Sequence, residues 1–315
     1  MTVRHLLVAA ALVGSLASAQ PPANRPAGVS FGVIADVQYA DKNTAGARHY
    51  RSSLDRLKAC VADLNQRDLK FVIQLGDFID TGKDSFDAVL PIWKKLKAPR
   101  RNVLGNHDLP FARKRALDKL GLKRGYYDFT LVEGWRFVVL DGMDVSLHGY
   151  PKGHPKRKQA LQMLVALKRR KVNYAQRWNG GVGEKQLAWL ERTLADSVER
   201  RQRVVVCCHF PILAKASSDS HLLWNHEAVL KVIEQHPSVV AWFNGHDHAG
   251  GYSEHNGIHH VTFSGMVEAP KRNAYSVVTA FDDRLELRGV GKQPSRTLRL
   301  RAVPDDGRKH KTPLR

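Results

Sequence analysis

An α/β fold built on a mainly parallel sheet is predicted by two features of this 315-residue sequence. Short apolar runs alternate with stretches of helical periodicity, and the chain closes in segments that alternate apolar and polar residues. With 43% hydrophobic residues and no internal repeat or long low-complexity tract, the chain fits one large domain better than two small ones.

The first residues read as an address. Arg4 and His5 precede an apolar run from Leu6 to Ala17, and Ala17-Ser18-Ala19 supplies a small-residue cleavage site. Residues 1–19 are therefore expected to be a signal peptide and the protein to be exported, periplasmic or secreted. About 12 apolar residues fall short of the ~20 that span a bilayer, and no later segment is apolar enough to cross one. Residues 20–28, with three prolines, read as a linker, 29–301 as the folded domain, and 302–315 as a basic, disordered tail.

Within the domain, FGVIAD is followed by a helix over about 49–66 with Tyr50, Leu54, Leu57, Val61 and Leu64 on one face, which makes a βα unit. The unit repeats as KFVIQLGD followed by Phe86, Val89, Leu90, Trp93 and Leu96 at helical spacing, with Pro91 set to break or kink that helix. NVLGNHD, the strand WRFVVLDG, a helix over about 183–200, the strand VVVCCHF, a helix over about 222–235 and VVAWFNGHDH continue the rhythm. HHVTFSG, AYSVVTAF and RLELRG then alternate like antiparallel strands, with a turn at Asp282-Asp283. Between 147 and 181 lies an insertion rich in Lys, Arg, Gly and Pro with a helix expected near 158–170. Insertions of this length serve as lids or binding loops, or are solvated excursions.

Three cysteines allow at most one disulfide. Cys207 and Cys208 sit inside an apolar run and read as small core residues. The net charge of +20 attracts anions. The basic residues are spread along the chain without a nucleic-acid motif, so an anionic small-molecule substrate is expected and a specific nucleic-acid partner is not.

The residues that carry chemistry share one location. Asp36, Asp77, Asn106, His209 and His246 each fall at or just after the C-terminal end of a predicted strand, the edge where open α/β sheets bind ligands. Singly each is weak, since an Asp after a strand is often a cap or turn residue. In Gly76-Asp77-Phe78-Ile79-Asp80, however, two carboxylates follow an apolar strand and need a cation or partner. In Gly245-His246-Asp247-His248 two histidines one residue apart can address two metals, or one. Carboxylate, amide and imidazole ligands together suit Mn²⁺, Fe²⁺ or Zn²⁺. His221, His226, His236, His255, His259 and His260 read as ordinary core or surface histidines.

The order D-x-[H/Q], G-D-x-x-D, G-N-H-D, H-x-P and G-H-x-H resembles the calcineurin-like metallophosphoesterases. The segments FGVIADVQYAD, WNGGVGEKQLAWL, LLWN, GHDHAGGY, GIHHVTF and RLELRGVG closely resemble one branch, the manganese-dependent ADP-ribose/CDP-alcohol diphosphatases. That resemblance implies a four-layer αββα sandwich with mixed sheets and a metal site at the strand C-terminal ends. It also implies two divalent ions bridged by Asp77, one held by Asp36, Gln38 and His248 and the other by Asn106, His209 and His246. His107 is then left free to face the leaving group or a phosphoryl oxygen, with Asp80 holding its imidazole. Gln38 stands where most of the superfamily has histidine, a substitution shared with the diphosphatase branch. An amide oxygen is a harder ligand than imidazole, so Mn²⁺ is favoured over Zn²⁺.

The implied reaction is hydrolysis of a diphosphate in ADP-ribose or in CDP-alcohols such as CDP-choline. The products are a nucleoside monophosphate and a phosphorylated sugar or alcohol, and Asn106, Trp224 and Asn225 are the candidate substrate contacts. The loop 42–49 and the basic insertion are further candidates. Two other readings remain open from sequence: a general metal-dependent phosphomonoesterase or phosphodiesterase, and a basic nucleic-acid or polyphosphate binding protein with a vestigial site.

Overall fold

The computed structural model describes residues 28–301 apart from 83, 110, 111 and 133. The expected signal peptide, most of the linker and the basic tail lie outside the described residues.

Two six-stranded sheets replace the single sheet suggested by periodicity, as the family resemblance implies. In the first, β1 (Val29–Ile34), β2 (Val72–Gln74) and β3 (Arg100–Asn102) run parallel. Against β1 come the antiparallel β10 (Ala274–Ala280), β11 (Arg284–Gly291) and β12 (Arg296–Arg299). In the second sheet β5 (Trp135–Val139), β6 (Arg203–Cys207), β7 (Val239–Asn244) and β9 (Ile258–Thr262) are parallel. Its antiparallel edges are β4 (Tyr127–Val132) and β8 (Gly251–His255). The turn at Asp282-Asp283 closes the β10–β11 hairpin, with Phe281 N donating to Arg284 O at 2.9 Å.

Strand alternation explains the layering. Phe31, Val33 and Ala35 point into a core shared with Phe137, Val139, Val205, Cys207 and Phe243 of the facing sheet. Ile34 points the other way, into a core with Leu57, Val61, Phe86 and Val89. These belong to α1 (Ser53–Leu64) and α2 (Ser85–Trp93), the latter containing Pro91. On the far side, α5 (Glu184–Glu199) and α6 (His226–Glu234) bury Leu190, Leu194, Val229 and Ile233. Cys60, Cys207 and Cys208 are buried and unpaired, and burial pushes the Cys208 thiol up to about 12, as fits inert core residues.

The sequence rhythm omitted α3 (Arg113–Leu120), which buries only Ala116 and Leu120, and the edge strand β4. The basic insertion is pinched at its base, where Val145 and Gly181 exchange backbone hydrogen bonds of 2.9 and 2.8 Å. Its helix, α4 (Pro155–Arg169), starts three residues earlier than expected, capped by His154 Nδ1 accepting from Lys156 N.

Candidate metal centre

All seven expected ligands converge. Asp36 and Gln38 follow β1, Asp77 follows β2, Asn106 follows β3, His209 follows β6, and His246 and His248 follow β7, so both sheets deliver side chains to one edge. Backbone bonds stitch these strand ends together: Gln38 N to Asp77 O at 2.9 Å, Gly245 N to His209 O at 3.1 Å, and Val267 N to Asp36 O at 3.0 Å.

The loops are held in an unfavourable conformation. Asp36, Gln38, Asp77 and His246 have φ of 51°, 41°, 52° and 71°, in the left-handed region that costs a non-glycine residue about 1 kcal/mol or more. Close approach sets the glycines around them: a Cβ at Gly105 would collide with the Asp77 carboxylate, and one at Gly245 with the Asp36 carboxylate. Such strain persists only where packing over-determines it, and Asp108 supplies much of that restraint. Its buried carboxylate accepts from Asp77 N, Phe78 N, Ile79 N and Gly105 N at 2.8 to 3.3 Å. Burial and the nearby Asp77 push the Asp108 carboxyl up to about 7 against the pull of those N–H donors.

Two half-sites meet at Asp77. On one side His209 Nε2 lies 3.1 Å from Asn106 Oδ1 and 3.1 Å from His246 Nδ1. On the other, His248 Nε2 lies 3.5 Å from Asp36 Oδ1. Asp77 Oδ2 touches both, 3.2 Å from His209 Nε2 and 3.0 Å from Gln38 Nε2. Every imidazole is fixed by its other nitrogen. His209 Nδ1 donates to Leu75 O at 2.8 Å, His248 Nδ1 to Glu268 at 2.9 Å, and His246 Nε2 to Asn179 Oδ1 at 2.8 Å. The amide of Asn179 cannot turn, since its Nδ2 donates to Ser220 O and Tyr174 O. In its neutral form each ring therefore aims a lone pair inward, as metal ligation requires.

Charge and satisfaction tell the same story. Burial alone would raise the Asp77 carboxyl, but the His209, His107 and His246 imidazoles outweigh it and hold the group well below the usual carboxylate range. Burial opposes charging of His209 and His248, yet Asp77 raises the first to about 9, and Asp36 with Glu268 raises the second to about 9. His246, buried and beside His209, is held far below its ordinary value. Gln38 Oε1 is buried with no hydrogen-bond partner, an expensive orphan that a cation satisfies. Asp77, His209 and His246 can each place a ligand atom within 4.8 Å of the others. The donors thus fit divalent metal.

His107 stands beside this set, its backbone N donating to Asp77 Oδ1 at 2.8 Å. Its Nδ1 is 3.0 Å from the carbonyl of Asp80 and 3.4 Å from that residue's carboxylate. The main chain of Asp80 thus holds the ring more closely than the expected carboxylate does. The carboxylate is engaged by Lys42, whose ammonium also lies over the Tyr50 ring.

Over the centre opens a cavity of about 330 Å³, lined by Gln38, Asp77, Asn106, His107, His246 and His248 and by three residues outside the expected ligand and catalytic set: Arg48, Trp178 and His221. Arg48 belongs to the loop expected to meet substrate. His221 corrects an expectation: read as an ordinary histidine, it lies with its ring centroid 5.1 Å from that of His246, its Nδ1 2.8 Å from Ser218 Oγ. Trp178 and Asn179 open the quoted segment WNGGVGEKQLAWL, whereas Glu268 lies outside every quoted motif, and the partners of all three become visible only when the chain is folded.

Trp224 and Asn225 are the second correction. The Trp224 indole is 3% exposed and packs among Val145, Leu164, Tyr174 and Leu222, with Nε1 donating to Gln176 O at 3.0 Å. Asn225 spends its amide on both backbone groups of Val182, at 3.0 and 2.7 Å. Both side chains pin the insertion to the start of α6 and neither faces the cavity. Trp224→Phe is therefore expected to lower Tm by a few degrees, through loss of a buried hydrogen bond and some packing worth about 2 kcal/mol, while leaving KM unchanged. A raised KM at unchanged Tm would restore Trp224 as a substrate contact.

Residues 29–250 match the family model described as calcineurin-like phosphoesterase. The chain is similar to the manganese-dependent ADP-ribose/CDP-alcohol diphosphatase of Oryza sativa, at 37% identity over 84% of this chain and 91% of that one. It is also similar to the human protein of that name, at 34% identity over 85% and 92%. A dimetal phosphatase from Danio rerio superposes with a TM-score of 0.81 at 30% identity, covering 88% of this chain and all of the other. With the fold, the converging strand ends and these relatives in agreement, the chain belongs to the calcineurin-like phosphoesterases.

Proposed function

We propose that this protein is an exported, manganese-dependent diphosphatase acting on nucleoside diphosphate-linked compounds such as ADP-ribose and CDP-alcohols. The products would be a nucleoside monophosphate and a phosphorylated sugar or alcohol. The observation that carries the reading is Gln38, an amide with its oxygen buried and unsatisfied among carboxylates and histidines. That donor favours a hard divalent ion over zinc, in keeping with relatives of 30 to 37% identity that are named for manganese and for these substrates.

In this reading Asp36, Gln38 and His248 hold one ion and Asn106, His209 and His246 the other, with Asp77 between them. When bound, two divalent ions supply a water nucleophile at neutral pH and offset the charge of the diphosphate. The chain's own residues do the rest. Arg48 presents a guanidinium to a phosphoryl group, Asn106 reaches the same cavity, and Trp178 offers the accessible aromatic face that Trp224 does not. His107, oriented through Nδ1, presents Nε2 to the departing phosphate oxygen and transfers a proton to it. The leader at residues 1–19 supports export, with scavenging of extracellular nucleotide derivatives as the role.

The test is a substrate panel with Mn²⁺: ADP-ribose, CDP-choline, cyclic AMP and 4-nitrophenyl phosphate. We expect kcat/KM for the first two to exceed that for the others by about tenfold or more, a difference of about 1.4 kcal/mol in transition-state binding. Preference for cyclic AMP or the monoester would leave the metal centre in place and overturn the substrate.

A further inference from the structure

We propose that the outer face of α4 docks on an anionic lipid bilayer. The stretch 145–183 carries nine lysines and arginines and not one aspartate or glutamate. Some of these cations are spent within the fold: Lys156 pairs with Asp144 at 3.0 Å, and Arg157 donates to the carbonyls of Leu147 and Tyr150. Lys158, Lys168 and Arg169 are exposed on α4 and have no carboxylate partner among the described residues.

The same helix face is apolar where solvent gives no reason for it to be. α4 buries Ala160, Leu164 and Leu167 against Tyr174 and Trp224, which anchors it by one stripe. A stripe beside it exposes Leu161 and Val165, at 52% and 41%, one turn apart on one surface. Lys158 precedes this pair by one turn and Arg169 follows it by one. Leu161 and Val165 are thus two of the four large exposed hydrophobic side chains among the described residues.

This combination selects the partner. A polyanion such as nucleic acid uses the cations and gains nothing from Leu161 and Val165. An anionic bilayer uses both, since acidic headgroups attract the lysines and arginines while aliphatic side chains enter the boundary with the acyl chains. The surface is a helix lying on the interface and spans nothing, and among the described residues no helix is long and apolar enough to cross a membrane. None of these α4 residues is a proposed metal ligand or lines the cavity over the centre, so the structure sets them apart from the substrate contacts expected of the insertion and hydrolysis of a soluble substrate serves as an internal control.

The experiment is co-sedimentation of the manganese-loaded full chain with phosphatidylcholine vesicles with and without phosphatidylglycerol. Two double variants with the same termini accompany it: Leu161→Gln with Val165→Gln, and Lys158→Glu with Arg169→Glu. Binding should require phosphatidylglycerol and weaken with salt, and each variant should reduce it by roughly tenfold with hydrolysis of soluble substrate unchanged. No phosphatidylglycerol-dependent binding overturns the proposal. So does binding lost by the charge variant but kept in full by the apolar one, which would mark a general polyanion surface.

Discussion

Asp77→Asn is expected to lower kcat by about a thousandfold or more, because it removes the one carboxylate that touches both halves of the centre. Oδ2 of Asp77 lies 3.2 Å from His209 Nε2 and 3.0 Å from Gln38 Nε2, while Oδ1 accepts from His107 N at 2.8 Å. Asparagine has the same shape and can still accept from His107. It brings no negative charge, and its N–H₂ turns toward the space the ions would occupy. If the centre contributes several kcal/mol of charge stabilisation, about 4 kcal/mol corresponds to three orders of magnitude in rate. Manganese content should fall in parallel. Circular dichroism checks the fold, which Asp108 continues to hold through its four backbone donors. A folded variant with kcat within tenfold of the parent would place Asp77 outside the reaction.

The ligands were legible in the sequence because each follows an apolar strand and therefore shares an edge. That reasoning needs only strand direction, and direction follows from alternation with helices. It could not separate two sheets from one. FGVIAD and WRFVVLDG look alike as buried parallel strands, and their membership of different sheets depends on which faces pair, as Phe31 packing on Phe137 at 5.0 Å between ring centroids shows. The architecture was available only through the resemblance. The supporting shell was harder still: Leu75 holds His209 with a carbonyl that any residue type would supply, and Asn179 reaches His246 across 67 positions of sequence. Trp224 and Asn225 failed for the converse reason. Their composition suits a nucleobase, but the direction of a side chain is decided by packing, and here it points into the base of the insertion.

His107→Ala is expected to lower kcat for the diphosphate substrate by about 10² to 10⁴, the range typical of a positioned acid or base, while manganese content stays near that of the parent. The ring lies beside the ligand set, held through Nδ1 by the Asp80 carbonyl at 3.0 Å, and it lines the cavity. A merely structural histidine would lose activity on every substrate alike. A proton donor would not, because a leaving group that departs readily as an anion needs no proton. The loss should therefore shrink severalfold for a 4-nitrophenyl ester relative to ADP-ribose, and should appear in kcat more than in KM. Equal losses on both substrates would reduce His107 to a positioning role. Loss of bound manganese would make it a ligand, and since its backbone N already spends one oxygen of Asp77, such a result would also require the loop after β3 to be rebuilt around the metal.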